Sequence, residues 1–258
     1  MDEKRRILLG KPAIIILAAG LGKRMKSNKA KVLHKILGKP MIMYIVEMAE
    51  KVAGNDVVLV IGHQADKVRK VVSENAHVIF ALQKDQLGTG HAVSCALPYL
   101  PDYTQEVIIL CGDVPLLTFE TVMGLLKDHV TAKRDISLLA VDIDNSKGYG
   151  RVLFDKKMNV SGIIEEADAS AKQKSIKTIN TGIYCVKKET LFDLLKNIRP
   201  DNAQGEFYLT DIVELGYREG KVVGVLIGEN SEEIVGVNTI HDLIRVENIL
   251  HSRVRNKS

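Results

Sequence analysis

The chain has 258 residues, of which 46% are hydrophobic, and its 36 basic and 32 acidic residues give a formal net charge of +4. Roughly three-quarters of the unfolded surface of such a chain is buried on folding, which suits one large unit or two small domains. The slight charge argues against a general nucleic-acid binder, and no apolar run approaches a membrane span. Three scattered cysteines without metal-ligand spacing favour free thiols in a reducing cytoplasm.

The first half of the chain alternates between strand-like and helix-like segments. The β-branched run at 13–16 predicts a buried strand, and further strands are predicted at 57–61, 78–82 and 107–110. Helices are predicted at 40–53, 65–73 and from about 90 to 97. This alternation predicts an α/β fold with a mostly parallel sheet. Ligands of such sheets bind beyond the carboxyl ends of the strands, so the loops after residues 17, 82 and 110 are expected to share one site.

The second half of the chain has a different pattern. Short β-like runs at 136–141, 150–154, 160–164 and 178–186 predict a mixed sheet or a β-rich lobe. Helices are predicted at 188–197 and 208–219, and a last amphipathic helix runs from 239 to about 255. Neither repeats nor low-complexity linkers occur. We therefore expect one unit of residues 1–238 with two lobes, followed by a helical arm at 239–258.

The loop after the first strand, LAAGLGKRMKSNKAK at 17–31, has the composition of an anion site. Gly20 and Gly22 remove side chains where main-chain N–H groups can approach an anion. Five cations follow without an acidic residue among them: Lys23, Arg24, Lys26, Lys29 and Lys31. A polyphosphate fits this loop, and an ordinary basic turn is the alternative.

Three further segments carry groups that suit a binding site. QKDQLGTG at 83–90 opens a helix with two glycines and a hydroxyl, which suits a heterocycle or a phosphate. Asp113 follows a buried strand, where it is either a ligand for a hard cation or a helix cap. Glu165, Glu166 and 180–182 place polar groups inside apolar strands, as in a polyol pocket or at a solvated strand edge.

Eight motifs occur in the order seen in the sugar-nucleotide pyrophosphorylases: LAAGLGKRM with Lys31, QLGTGHAV, CGDVPLL, YGR, EEADA, NTGIY, NAQGEFYLTD and GVN. The chain resembles this family from about residue 13 to 238, and in particular the uridylyltransferase part of bifunctional bacterial enzymes that make UDP-N-acetylglucosamine. The resemblance implies a Rossmann-like nucleotidyltransferase fold, with a mostly parallel mixed central sheet flanked by helices and a smaller β-rich sugar-binding lobe. It also implies transfer of UMP from UTP to N-acetylglucosamine-1-phosphate, with Mg²⁺ as cofactor.

The resemblance assigns residues to these roles by position. Arg24 and Lys31 are the expected catalytic residues, and Asp113 and Asn238 the expected Mg²⁺ ligands. The expected nucleotide contacts are Leu17, Ala18, Ala19, Gly20, Gly22, Gln83, Gly88 and Thr89, with the last three at the uracil. The expected sugar contacts are Gly150, Glu165, Asn180, Tyr208 and Thr210.

The chemistry of the implied reaction agrees with these residue types. A sugar phosphate that attacks UTP brings two anions together, so the site must align them and neutralise charge. The attacking phosphate is already ionised, so no Ser/His/Asp or Cys/His arrangement is needed and direct displacement is expected. The histidines are accordingly interpreted as structural or solvated: His34, His63, His91 and His129.

The chain departs from the family pattern at several places. Lys23, Ala30 and Phe207 stand where threonine, proline and tyrosine are usual, and Ala30 predicts a less preorganised loop before Lys31. Neither an acetyltransferase β-helix nor the trimer built on it is expected, and the oligomeric state is left open. Transfer from UTP or dTTP to glucose-1-phosphate is the first alternative reaction, and a non-catalytic regulatory protein that binds a nucleotide sugar is the second. No nucleic-acid or membrane partner is expected.

Overall fold

The computed structural model describes residues 11–234 and 236–255. The first ten residues of the predicted unit, Val235, the last three residues of the predicted arm and the side chains of Lys23 and Val254 lie outside this description.

The described strands and helices are as follows. The strands are β1 (Ala13–Ala18), β2 (Lys35–Ile36), β3 (Lys39–Pro40), β4 (Val57–Ile61), β5 (Ile79–Leu82), β6 (Glu106–Cys111), β7 (Ile136–Asp142), β8 (Arg151–Phe154), β9 (Val160–Ile164), β10 (Thr178–Lys187) and β11 (Val223–Ile227). The α-helices are α1 (Met41–Ala53), α2 (Ala65–Ser73), α3 (Thr89–Ala96), α4 (Phe119–Thr131), α5 (Ala171–Lys174), α6 (Lys188–Leu195), α7 (Asp211–Arg218) and α8 (Ile240–Arg255).

Nine of these strands form one mixed sheet, whose main path runs β11-β7-β10-β6-β1-β4-β5. Strands β6, β1, β4 and β5 are parallel to one another. Strand β10 is antiparallel to β6 and β7, while β11 is parallel to β7. The β8–β9 hairpin lies off the main path and joins it through β10. The mostly parallel mixed sheet and the smaller β-rich part are thus confirmed.

Helices cover both faces of the sheet. Strand β1 is apolar without interruption because both of its faces are buried. Ile14 and Ile16 belong to a core with residues of α1 and α4. Ala13 and Ile15 face a second core that contains residues of α3, α6 and α7. Every second residue of the strand therefore enters a different core, as in doubly wound α/β proteins.

The strand order reverses at β1, which defines a crevice. The chain passes from β1 to β4 on one side, and β6 pairs with β1 on the other side. The loops after β1 and β6 meet there, and Gly112 N donates to Leu17 O at 2.9 Å. In open α/β sheets the crevice at such a reversal is where ligands bind.

The sequence prediction lacked the short elements β2, β3 and α5 as well as two longer ones, and the structure corrects two other predictions. Helix α4 and strand β11 were not predicted, although Thr118 caps α4 by accepting a hydrogen bond from Thr121 N at 3.2 Å. The helix predicted from residue 208 begins at Asp211, because residues 207–209 pair with the start of α3. Glu165 and Glu166 follow β9 and do not lie within a strand.

The predicted terminal helix is confirmed as α8, and it packs on the rest of the chain. Val246 is fully buried in a small core with Met25, Ile36 and Met41. No helix in the described part of the chain combines the length and the apolar character that crossing a bilayer requires.

Candidate active site

The glycine-rich loop folds back so that Lys31 lies against Gly22. Gly22 has a φ of +62°, and a Cβ atom added to it would lie 2.7 Å from Lys31 Cβ. Glycine is therefore required at this position for its backbone conformation and for the close contact. Gly20 is exposed, and a Cβ atom added to it would meet no other group within 4 Å. The carbonyls of Leu17 and Ala19 already accept from Gly112 N and His63 N, so these two oxygens are engaged within the fold.

Four predicted site residues meet at the crevice in one polar cluster. Lys31 Nζ forms an ion pair with the Asp113 carboxylate and donates to Asn238 Oδ1 at 3.1 Å. Arg24 donates to the same Asn238 oxygen at 2.8 Å. The side chains of Lys31 and Asp113 are only 16% and 19% exposed, which strengthens their mutual attraction relative to a surface pair.

The N-terminus of α8 fixes the position of Asn238. One carboxylate oxygen of Asp242 accepts from the main-chain N–H groups of Asn238 at 3.0 Å and Thr239 at 2.8 Å. Thr239 Oγ1 in turn accepts from Asp242 N at 3.1 Å, so the two residues form a reciprocal cap. Val237 N donates to Asp113 O at 2.8 Å, which joins this turn to the loop after β6.

The oxygens of Asp113 and Asn238 suit a divalent cation. Both contact the single ammonium group of Lys31, so two oxygen ligands already converge on one positive charge. A carboxylate and an amide oxygen are hard ligands, and Mg²⁺ in proteins is bound by one or two such groups while it keeps several waters. The residues present therefore fit Mg²⁺.

An open cleft of about 540 Å³ adjoins this cluster. Arg24 and Asn238 line one side of it, and Lys147, Tyr149 and Arg245 line other parts. This volume lies within the usual range for small-molecule sites.

The predicted base-binding residues form the second part of the crevice. Gln83 is 3% exposed and donates through Nε2 to Gly88 O at 3.0 Å. Thr89 Oγ1 accepts from Leu209 N at 2.9 Å. Phe207 pairs through its main chain with Leu87 O and with Gly90 N, at 2.8 and 2.7 Å. Residues 83–90 and 207–210 therefore form one continuous surface, although more than a hundred residues separate them.

Gly88 cannot be replaced without moving this surface, and we expect Gly88→Ala to weaken nucleotide binding at least about tenfold. Its φ is +112°, and an added Cβ atom would lie 2.5 Å from Phe207 O. Gly205→Ala is the control, because Gly205 also has a positive φ of +65° but open space around it. Titration calorimetry with UTP tests the difference, and equal affinity of the two variants would contradict it.

Three predicted sugar-binding residues lie together where β8 and β10 meet. Asn180 N donates to Gly150 O at 2.8 Å, and a Cβ atom on Gly150 would lie 3.3 Å from Glu165 Oε2. Asn180 Nδ2 donates to Tyr184 Oη at 2.8 Å, across a register shift in β10. Because of this shift, polar side chains occupy a region that a regular strand would fill with apolar side chains.

The other two predicted sugar-binding residues lie just before α7. Tyr208 Oη and Thr210 Oγ1 are buried and have no hydrogen-bond partner of good geometry among the described residues. Asp168 and Glu165 lie beside these hydroxyls. Buried hydroxyls that lack well-formed hydrogen bonds carry a free-energy cost that hydrogen bonds to a bound polyol would offset. Burial, aided by Asp168 and Glu165, raises the pKa of Tyr208 to about 12, so its hydroxyl remains protonated at neutral pH.

The same region concentrates carboxylates. Burial raises the pKa of Glu165 above its ordinary value. Burial, followed by repulsion from Glu214, Glu165 and Asp168, raises the pKa of Asp211 to about 6. Because the pKa of Asp211 is higher in the folded state than in the unfolded chain, folding is favoured by its protonation, and this stabilisation disappears as the pH rises from about 4 through about 6.

Asp211→Asn is therefore expected to stabilise the protein at neutral pH. We expect its free energy of unfolding to exceed that of the wild type by about 1–2 kcal/mol at pH 7.5, and the difference to vanish near pH 4. Urea denaturation at the two pH values measures this, with the exposed Asp102→Asn as control. A difference of the same size at both pH values would show that repulsion at Asp211 is not its cause.

Several residues of the site were not selected from the sequence. Tyr184 is fully buried beside Asn180, and only its place in NTGIY marked it. Arg151 is 1% exposed and forms an ion pair with Glu166 at 2.7 Å, which stabilises the loop after β9. Asp242 was detectable, since the spacing Thr239-x-x-Asp242 is that of a capping box.

The fold and the crevice define a class of protein: a doubly wound α/β protein with a basic glycine-rich loop and a carboxylate at the strand-order reversal. The sequence comparisons agree. Residues 14–179 match the model of the MobA-like NTP transferase domain, and the chain belongs to this family.

Individual relatives extend the likeness along the chain. The bifunctional protein GlmU of Pelotomaculum thermopropionicum is 47% identical over 242 residues, which are 94% of this chain and 52% of that protein. GlmU of Caldanaerobacter subterraneus is 45% identical over 243 residues, with the same coverage. The chain thus spans about half the length of these curated relatives, and it matches their N-terminal part.

Solved structures show the same fold at lower sequence identity. A protein of Bacillus anthracis assigned as a glucose-1-phosphate thymidylyltransferase, solved with sucrose, has a TM-score of 0.71 and 20% identity, over 92% of this chain and 94% of that one. HddC of Yersinia pseudotuberculosis, also solved with GMP-PN, has a TM-score of 0.68 and 20% identity, over 93% and 99% of the two chains.

Proposed function

We propose that this protein transfers UMP from UTP to N-acetylglucosamine-1-phosphate, with Mg²⁺, and releases pyrophosphate. The observation that carries the proposal is the convergence of Lys31, Arg24, Asp113 and Asn238 at the strand-order reversal. Two cations and two oxygen ligands at one point suit a reaction that joins two phosphorylated substrates. The likeness to GlmU supports the choice of substrates.

Each residue of the cluster has a distinct role in this proposal. Asp113 and Asn238 hold Mg²⁺, which when bound supplies positive charge to the phosphates. Lys31 neutralises charge that develops at the reacting phosphorus, and Arg24, which is exposed at the cleft, binds the departing β- and γ-phosphates. The sugar phosphate attacks the α-phosphorus in line, its oxygen forms the new bond, and the bond to pyrophosphate breaks. No protein nucleophile takes part.

The two ends of the crevice provide recognition in the same proposal. Leu17, Ala18, Ala19, Gly20 and Gly22 form the main-chain surface for the nucleotide, with Gln83, Gly88 and Thr89 at the uracil. Gly150, Glu165, Asn180, Tyr208 and Thr210 form the sugar pocket. Residues 1–238 are the transferase unit, and α8 contributes to it through Asp242. Free Cys95, Cys111 and Cys185 agree with a cytoplasmic location for the reaction.

The experiment that tests the proposal is a substrate matrix. Pyrophosphate release is measured with UTP or dTTP, N-acetylglucosamine-1-phosphate or glucose-1-phosphate, and Mg²⁺ or EDTA. We expect turnover to be fastest with UTP and the N-acetyl sugar, and to stop in EDTA. Faster turnover with glucose-1-phosphate would keep the reaction type and reject the sugar. UTP binding without release from any pair would favour the regulatory alternative.

A further inference from the structure

The orientation of the Gln83 amide is determined by its neighbours. Gln83 is buried, and its Nε2 lies 3.0 Å from Gly88 O and 3.1 Å from His91 Nδ1. A carbonyl oxygen only accepts hydrogen bonds, so the amide atom beside Gly88 O must be the nitrogen. One amide hydrogen is thus donated to Gly88, and the other is directed at His91.

The tautomer of His91 follows from this orientation. Because the Gln83 nitrogen donates, His91 Nδ1 must accept, and the neutral imidazole then carries its proton on Nε2. His91 Nε2 lies 3.8 Å from Cys95 Sγ, a weak acceptor. A directed chain results: Gly88 O accepts from Gln83, Gln83 donates to His91 Nδ1, and His91 Nε2–H faces Cys95.

With both amide hydrogens engaged, Gln83 Oε1 is the free polar atom of this side chain. It has no hydrogen-bond partner among the described residues. An isolated acceptor complements the N3–H of uracil or thymine and opposes the N3 lone pair of cytosine. If the amide rotated by 180°, its NH₂ group would replace Oε1, and the preference would reverse.

We propose that His91 is a positioning residue for the base specificity of this site: together with Gly88 O it accepts the two amide hydrogens of Gln83, which holds the amide with Oε1 free and so selects a base with an N–H donor. This inference rests on the proposed function for its nucleotide. It assigns a role to a histidine that the sequence interpretation left as structural or solvated.

Two substitutions separate this role from simple packing. In His91→Asn the amide oxygen takes the place of Nδ1, so the acceptor is kept. His91→Leu removes the acceptor but supplies an apolar side chain beside Leu195, Ile198 and Phe207, which with His91 line a cavity of about 140 Å³. Both variants are expected to fold, and thermal denaturation checks this.

The test measures the dissociation constants of UTP and CTP by calorimetry, together with kcat/KM for each nucleotide. The wild type and H91N are expected to prefer UTP to a similar degree, within about threefold of each other. H91L is expected to lose at least about tenfold of that preference, with UTP weakened more than CTP. A packing role would weaken both nucleotides equally.

Three results would overturn the inference: H91L that keeps the wild-type preference, H91N that behaves like H91L, or a wild type that binds both nucleotides equally. A wild type that binds UTP selectively but does not turn over would contradict the proposed function and leave the binding test valid. The ¹⁵N shifts of His91 give a test that needs no variant. In the neutral imidazole Nδ1 should be the nitrogen without the proton, and a proton on Nδ1 would refute the assigned orientation.

Discussion

Asp113→Asn is expected to lower kcat/KM for uridylyl transfer by about 10³-fold or more at saturating Mg²⁺. The substitution keeps the shape of the side chain but removes the charge that pairs with Lys31 and that would bind the metal. Electron paramagnetic resonance with Mn²⁺ should show at least about tenfold weaker metal binding. Both losses are expected together, because one carboxylate serves both purposes.

The matched control for this variant is Asp144→Asn. Asp144 lines the same open cleft, but its side chain is 94% exposed and pairs with the exposed Lys177. Exposed pairs of this kind contribute little, so we expect activity within about twofold of the wild type. If Asp113→Asn turned over at the rate of the control, the assignment of the metal site would be wrong.

Lys31→Met is expected to lower kcat by about 10²–10³-fold while metal binding is kept or becomes tighter. The Lys31 ammonium contacts the two oxygens assigned to the metal, so its removal frees them. The mostly buried Asp113 carboxylate then lacks its ion pair with Lys31. In the absence of added metal, the variant should therefore melt at a lower temperature than the wild type. Added Mg²⁺ should restore more stability to the variant than to the wild type.

The exposed Lys35→Met is the control for the loss of one positive charge near this loop. In Lys31→Met, turnover is expected to fall while metal affinity is kept or rises. In Asp113→Asn both quantities are expected to fall, so the two measurements together distinguish the roles of the two residues. Loss of Mn²⁺ binding in Lys31→Met, or turnover within threefold of the wild type, would contradict the role given to the lysine.

The parallel half of the fold could be predicted from the sequence, because apolar residues recur at different spacings in buried strands and in amphipathic helices. The same reasoning placed Asp113 at a strand end. It did not place Asn238, which lies 207 residues from Lys31 along the chain and meets it only through α8 and the loop after β6. Only the resemblance to a family suggested that residue.

The orientation of side chains was the second feature that could not be predicted from the sequence. The sequence shows that Gln83 and His91 are near each other, but which amide atom is free depends on the contacts with Gly88 O and His91 Nδ1. Likewise, Ala30 predicted a less preorganised loop, and this stays a prediction. The structure nevertheless gives Ala30 a φ of −52°, which suits proline, and Gln64 accepts from Ala30 N at 3.4 Å.

The most direct test of the account is a single-turnover experiment with α-³²P-labelled UTP, with and without N-acetylglucosamine-1-phosphate. The account predicts that label moves to UDP-N-acetylglucosamine, with equimolar pyrophosphate, only when Mg²⁺ and both substrates are present. Pyrophosphate release from UTP alone that leaves labelled protein would contradict direct displacement. No transfer of label to any sugar phosphate, from protein that binds UTP, would contradict the assignment of this crevice as a catalytic site.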